Sequence, residues 1–543
     1  MAWSPDFGHG WLGTVFGHKG EFSIRGGYDL LYEHFGAEMV NTFNQNGSFG
    51  LATNLTNPLG ITIANAPRMT CLTCLPSSLQ PAAPPGGFPQ TPPPIFGNIA
   101  WGLDSAIKTP YVHEVDFSLT RQFGTRSSLS LSYVGTFGRR LPMQEDLAMP
   151  GNLVDPKSHQ SYFAAADALS KLYDANTPVA NVPNIPFWQN IFSTWTGLTQ
   201  ADVMNALGNN NPCTPGAPDT SPLTATQAVY ELWSCFVPNE TSASILLDFP
   251  PSNGGIGLPA PTTGYYSFYH SQYSSLYAWN NIGTSNYNAL QATYQVRMGR
   301  NLQTQFNYTW SKSMDEASDA ERISAWGGLG GAIINSWSPY QLYGQSDFNT
   351  TQQINANWVW NLPFGHGQWL GSGAANWLNA VIGGWQFSGY YRWTTAFPVN
   401  VGNGFFFPTN WQLTGNAMQS KAIPGEQTTM NPQGPDGSGP NMFVNPSLAL
   451  AAFRHDLPGE AGSRNVVEGD GFFGIDTGLD KSFAIGGEGK ALQVGWQVFN
   501  ATNSVRFDAQ TASLSLDNGS TFGNYSSTMT RPRFMQLFAK FTF

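Results

Sequence analysis

The residues best suited to chemistry in this chain are four cysteines, eight histidines, a short acidic run and a dense group of aromatics. Cys71 and Cys74 stand in CLTC, the spacing of half a zinc site or of a redox pair. No second CxxC or His pair completes the set and no βαβ pattern surrounds it. The reading to prefer is loop disulfides drawn from Cys71, Cys74, Cys213 and Cys235, with pairing left open except that Cys213 and Cys235 could staple one loop. The histidines are scattered, with no HExxH or HxH spacing. AIGGEGKAL around Lys490 has a phosphate-loop look, but Ala484 stands where the first Gly belongs and Ala491 where Ser or Thr would hold a metal, so a tight turn accounts for it better. Asp315, Glu316, Asp319 and Glu321 follow a strand end, where carboxylates could gather calcium, although a solvated loop edge is the simpler account. Tyr265, Tyr266, Tyr269 and Trp279 could stack on a sugar or anchor another ligand. The same residue types build the aromatic girdle of a membrane protein, and girdle and loop packing is the favoured reading. No catalytic, cofactor-binding or metal-binding set emerges, so the chain reads as a non-enzyme without a cofactor.

The elements that must carry these residues show in composition and period. Charged residues are only 11% and aromatics reach 14%, an odd balance for a soluble surface. At 41% hydrophobic the chain is not disordered. A net charge of −10 without a basic stripe argues against a nucleic-acid partner. No apolar run is long enough for a transmembrane helix, so any membrane crossing must use strands. The N-terminal stretch lacks the basic start, apolar core and cleavage site of a secretory signal.

A period of two recurs along the chain, the mark of strands whose two faces meet different surroundings. In 128–137, Leu129, Leu131, Tyr133 and Phe137 share one face while Ser128, Ser130, Ser132 and Thr136 share the other. The same division marks 301–311 and 353–362, and further strands are expected at 22–32, 114–123, 288–298, 385–397, 473–483, 492–499 and 533–543. About ten residues rise about 33 Å, which a tilt near 40° reduces to the height of an outer-membrane apolar band. Tight turns at 123–127, 298–301 and 485–490 alternate with long excursions at 33–111, 138–287 and 398–471, the segregation seen when long loops lie outside the cell. The last strand then ends on the short-turn, periplasmic side. Gly365–Gly384 is a longer turn in which NWLNAVIGGW suggests a brief interfacial helix. Within the long loops, 75–96 is proline-rich, whereas 156–173 and 224–235 carry helical spacings. The expected fold is all-β: a transmembrane antiparallel β-barrel with long extracellular loops that contain short helices.

NYNALQATYQVRMGRNLQTQFNYTWSKSMDEAS, and NLPFGHGQWL followed by GGWQFSGYYRW, resemble the barrel of Oar-like TonB-dependent receptors of the Acidobacteria type. LSLSYVGTFGRRLP, RGGYDLLYEHFG, and GFFGIDTGLDKSFAI followed by ALQVGWQVFNATNSVRFD extend the resemblance from near residue 20 to the end. It implies that the closing RPRFMQLFAKFTF is the strand recognised by barrel-assembly machinery, with Leu537, Phe541 and Phe543 as its apolar signature. It also implies a barrel of about 22 strands with a plug, a signal sequence and often a further N-terminal domain. About ten strands are legible, so residues 1–543 read as the C-terminal portion of such a barrel, with plug, signal peptide and N-terminal strands not present.

The function this resemblance implies is energy-coupled uptake of a scarce or bulky solute, in the outer membrane of a Gram-negative cell. The implied partners are outer-membrane lipid, barrel-assembly machinery, an unknown extracellular solute, and a TonB-type energy-coupling protein acting through the plug. Gln291, Gln303, Asn307, Asn355 and Gln386 would line a hydrated passage. The alternative is a non-transport surface protein, either an adhesin or a scaffold for secretion and envelope organisation.

Overall fold

Alternating side chains resolve into ten long strands: β1 (Phe22–Tyr32), β2 (Tyr111–Phe123), β3 (Ser127–Asp146), β4 (Tyr273–Met298), β5 (Leu302–Asp315), β6 (Gln352–Asn361), β7 (Trp385–Thr394), β8 (Phe472–Ala484), β9 (Ala491–Phe499) and β10 (Phe534–Thr542). This computed structural model describes residues 2–7, 10–18, 20–32, 86–87, 98–148, 153–216, 220–236, 240–271, 273–299, 301–318, 332–333, 338–404, 416–423, 439–485 and 490–543. Each long strand pairs antiparallel with the next, so the sheet is one meander from β1 to β10. Four short strands bring the sheet to 14: Ala2–Trp3 beside β1, Asn98–Leu103 parallel to β4, Ala332–Ile333 against β3 and Gly344–Gln345 against β5. Among the described residues β1 and β10 do not pair with each other.

Register carries each face across the sheet. Met298, Leu302, Trp360, Phe387, Leu479, Trp496 and Leu537 are successive cross-strand partners, an apolar row spanning seven strands. A one-residue slip in any strand would turn its apolar set to the other face, so the patterning fixes this alignment. Several of these side chains are solvent-facing in the isolated chain, Leu537 at 82%. An apolar surface this extensive on a protein exterior calls for a non-aqueous neighbour.

At one end the connections are short. Gly124 and Gly299 occupy turns with φ of 59° and 61°, a left-handed backbone that glycine enters without a Cβ clash. The β6–β7 connection holds the expected helix, here α7 (Asn376–Ile382), with Trp377 and Val381 exposed. Lys481 of β8 donates to the carbonyls of Val381 and Gly383, where a cation complements the end of the helix. The N-terminal segment adds α1 (Gly10–Phe16), not anticipated from sequence, beside a cluster of Phe7, Phe16 and Phe22.

The other end differs from the sequence reading in one respect. β3 and β4 run to 20 and 26 residues, so the excursion expected over 138–287 shrinks to 147–272. Irregular pairing between Gly138 and Met143, with Arg140 at φ 57°, separates the regular lower part of the hairpin from its upper part. The upper part loses alternation because it is covered on both sides. Gln144, Glu145, Asp146, Ala278 and Trp279 are all buried there.

Two packed bodies fill the long connections. The first contains α2 (Tyr162–Asp174), α3 (Pro186–Ile191), α4 (Gln200–Ala206), α5 (Ala225–Phe236) and α6 (Glu240–Asp248). Its core is aromatic, with Tyr162, Phe187, Trp188, Phe192, Trp195 and Trp233 essentially inaccessible. Caps set the helix starts: Ser161 accepts from Ala164 N, and Thr199 and Asp202 form a reciprocal capping box. The second body is built from the described segments 399–404, 416–423, 439–467 and 507–525 around Val401, Met442, Phe443 and Phe522, and includes α8 (Pro446–Leu450).

Candidate functional site

The second face of the sheet is polar. Ser23, Thr120, Ser130, Thr293, Asn307, Asn355 and Arg392 are successive partners across seven strands; on the same face, Gln291 lies one row away and Gln303 two rows away on the other side of this row. These groups bond along the wall. Thr120 and Ser130 hydroxyls lie 3.1 Å apart, and Asn307 Oδ1 accepts from Thr293 Oγ1 at 3.1 Å and Gln305 Nε2 at 2.9 Å. Tyr390 OH donates to Asn355 Oδ1 at 3.1 Å, and Gln386 Nε2 to Asn361 Oδ1 at 2.8 Å. Neutral amides and hydroxyls offer both donors and acceptors, so such a wall can hydrate and pass a polar solute without fixing an ion.

Charge gathers toward the long-connection end of this face. A recess of about 940 Å³ is lined by Tyr390, Arg392, Asp476, Arg531, Arg533 and Gln536, among others. Asp476 accepts from Asn500 N at 2.8 Å, and the Arg392 guanidinium sits over the Phe472 ring at 5.1 Å. Three guanidinium groups against one carboxylate make this a locally positive place in a chain of net charge −10.

The aromatic residues singled out from sequence do not converge on this recess. Tyr269 is 1% exposed in the core of the first body. Tyr266 packs on Phe249 at 5.4 Å between ring centroids and bonds to Asn253, with its backbone at φ 62°. Tyr265 OH donates to Leu258 O at 3.3 Å. Trp279 is 0% exposed in the upper hairpin, opposite Gln144. Cys213 and Cys235 are joined in a disulfide, while Cys71 and Cys74 lie outside the described residues. Beside that bridge, Glu231 accepts from Cys213 N at 2.7 Å, Gln200 Nε2 at 2.9 Å and Thr214 Oγ1 at 2.5 Å. The two sulfurs are bound to each other, so this cluster has no thiolate to offer a metal. Leu537, Phe541 and Phe543 sit on one exposed apolar face of β10 and just beyond it.

The acidic run resolves into separate duties. Asp315 pairs with Arg464 at 2.6 Å, and both side chains are nearly buried. Glu316 accepts from Thr284 N and Oγ1, each at 2.7 Å, and burial raises its carboxyl above the ordinary value. Asp319 and Glu321 lie outside the described residues. Sequence reasoning missed Arg464, Arg392 and the recess, because their partners come from distant connections and share no local spacing.

A family model described as an outer membrane beta barrel domain matches residues 2–536. Among curated proteins none matches the chain. Solved structures that align with it include the outer membrane transporter YddB from Escherichia coli, with 9% identity and a TM-score of 0.37 over 96% of this chain and 38% of that one. The siderophore receptor PiuA from Acinetobacter baumannii aligns with 7% identity and a TM-score of 0.29, over 81% of this chain and 30% of that one. The FrpB iron transporter from Neisseria meningitidis aligns with 9% identity and a TM-score of 0.28, over 81% and 32% respectively. The chain therefore spans between 30% and 38% of the length of these structures.

Proposed function

The chain belongs to the outer membrane beta barrel domain family, and from that membership we propose that it forms part of the wall of an Oar-like TonB-dependent receptor that takes up a scarce or bulky solute. In this reading the apolar rows face lipid, the polar rows line the passage, and the two loop bodies stand outside the cell. The observation that carries it is the register: apolar and polar rows run unbroken across seven strands each, as a wall between lipid and water requires. The β10 edge, and the part of the β1 edge that Ala2–Trp3 leaves uncovered, would pair with further strands of a barrel of about 22, since open edges do not persist in hydrocarbon. A plug outside this sequence would transmit the pull of the energy-coupling protein.

The test is accumulation of iron chelates, oligosaccharides and peptides by cells that make the full-length receptor. Uptake of one class that ceases when the energy-coupling protein is removed supports the reading. Uptake that continues without that protein points to a passive channel. No uptake of any class, with the protein present at the surface, points to a scaffold or adhesin.

A further inference from the structure

In a regular strand Arg139 and Arg140 would point to opposite faces. The pairing shift between Gly138 and Leu141 in β3, with Arg140 at φ 57°, re-aims the second of them. The Arg139 guanidinium lies over the Phe137 ring at 5.9 Å and that of Arg140 over the Tyr111 ring at 5.4 Å. Tyr111 is the cross-strand partner of Arg139, and Phe137 precedes Arg139 by two, so both cations end on the apolar face. Lys312 of β5 joins them there, exposed at the end of a row of partners that runs Tyr28, Val115, Gly135, Asn288 and Lys312.

The depth of this group follows from strand geometry. Leu302 and Lys312 share one face of β5 ten positions apart, about 33 Å along the strand and about 25 Å along the membrane normal at a tilt near 40°. That is the height of the apolar band. Leu302 belongs to the apolar row at the short-turn end, so Lys312 stands at headgroup level in the outer leaflet. A cation on the lipid face costs about 2–4 kcal/mol at mid-depth and about 1 or less at the interface, so only this rim can hold three. Directly below them Phe117, Tyr133, Leu290 and Trp310 form an exposed apolar row of successive partners.

The three cations lack a counter-charge among the described residues. Arg139 donates to the carbonyls of Gly138 at 2.7 Å and Ser285 at 3.0 Å and to Asn286 Oδ1 at 3.0 Å, all neutral groups. Arg140 and Lys312 make no ion pair among the described residues. Asp29, Glu114 and Asp116 stand at positions of the opposite face. Asp315 and Glu316, at the end of β5, are engaged by Arg464 and Thr284. We propose that this rim binds an anionic, phosphorylated lipid of the outer leaflet, its phosphates held by Arg139, Arg140 and Lys312 and its acyl chains lying on the apolar row below. The inference rests on the assignment of the apolar face to lipid within the uptake reading.

The test uses the full-length receptor, extracted from outer membranes and freed of bound lipid. It is titrated with diphosphoryl lipid A, the dephosphorylated form of that lipid, and inorganic pyrophosphate, and bound species are counted by native mass spectrometry. Heat-modifiable migration confirms that each preparation holds a closed barrel. The expected result is saturable binding of the diphosphoryl lipid, weakened about tenfold or more by dephosphorylation and in the double variant Arg140→Asn with Lys312→Gln. Asparagine tolerates the left-handed backbone at position 140, so the first change removes charge without adding strain. Should the double variant fail to close, Lys312→Gln alone repeats the comparison, with binding weakened about fivefold. Equal binding of the two lipids, or binding unchanged in the variants, overturns the proposal. Pyrophosphate bound as tightly as the diphosphoryl lipid overturns it in favour of a soluble anion. The assay involves neither energy nor transport, so failed binding leaves the uptake reading standing, and failed uptake with intact binding leaves this site standing.

Discussion

Arg464 reaches from the second loop body to the end of β5 and gathers Asp315, the Asp315 carbonyl, Ser318 and Asp347 around one guanidinium. Because Arg464 and Asp315 are both nearly buried, Asp315→Ala would leave the guanidinium with only the half-exposed Asp347 carboxylate for its charge and is expected to cost about 3 kcal/mol in denaturant unfolding. Asp347→Ala removes a partner that is half exposed, and a loss of about 1 kcal/mol or less is expected from the same measurement. Asp456 gives a pH signature. It is 0% exposed and accepts from Asn403 Nδ2 at 3.2 Å, and burial pushes its carboxyl from 3.8 up to about 8. The folded state then holds a proton that the unfolded state has released, so stability falls as pH rises from about 4 to about 8. Asp456→Asn should flatten that slope in thermal melts recorded across this window. An unchanged slope would assign it elsewhere, with Asp248, raised to about 7 by burial, the next group to replace.

At the scale of elements, the two faces of a strand make opposite demands. Leu479→Arg places a charge in the apolar row and is expected to destabilise the bilayer-folded protein by about 2–4 kcal/mol near mid-depth, whereas Gln303→Arg on the polar face should change stability little. Equal effects in a lipid-refolding titration would contradict the assignment of faces. In the first body, the Cys213–Cys235 bridge closes a separation of 22 residues onto α5, and its reduction should cost about 3 kcal/mol and open 213–235 to limited proteolysis. Sequence shows all ten long strands because their middles alternate cleanly. It shows α2 and α5 because each is long enough for helical spacing to repeat. The upper parts of β3 and β4 escape notice because burial on both sides erases the period, and α3 and α4 because two turns carry too little pattern.

For the whole molecule, the uptake reading predicts that the ten strands by themselves do not migrate as a compact, heat-modifiable monomer after refolding in detergent, because two edges remain to be paired. A sharp heat-sensitive band would show that the sheet closes on itself. The paired upper hairpin has a separate consequence. Asp146 and Tyr277 are cross-strand partners, so the chain leaves for the helical body and returns from it at neighbouring points, about 5 Å apart. With entry and exit so close, 153–270 is attached like a graft on a stem. It could be excised, or exchanged for an unrelated head, without shifting the register of any strand below, leaving recognition free to diversify while the wall stays the same.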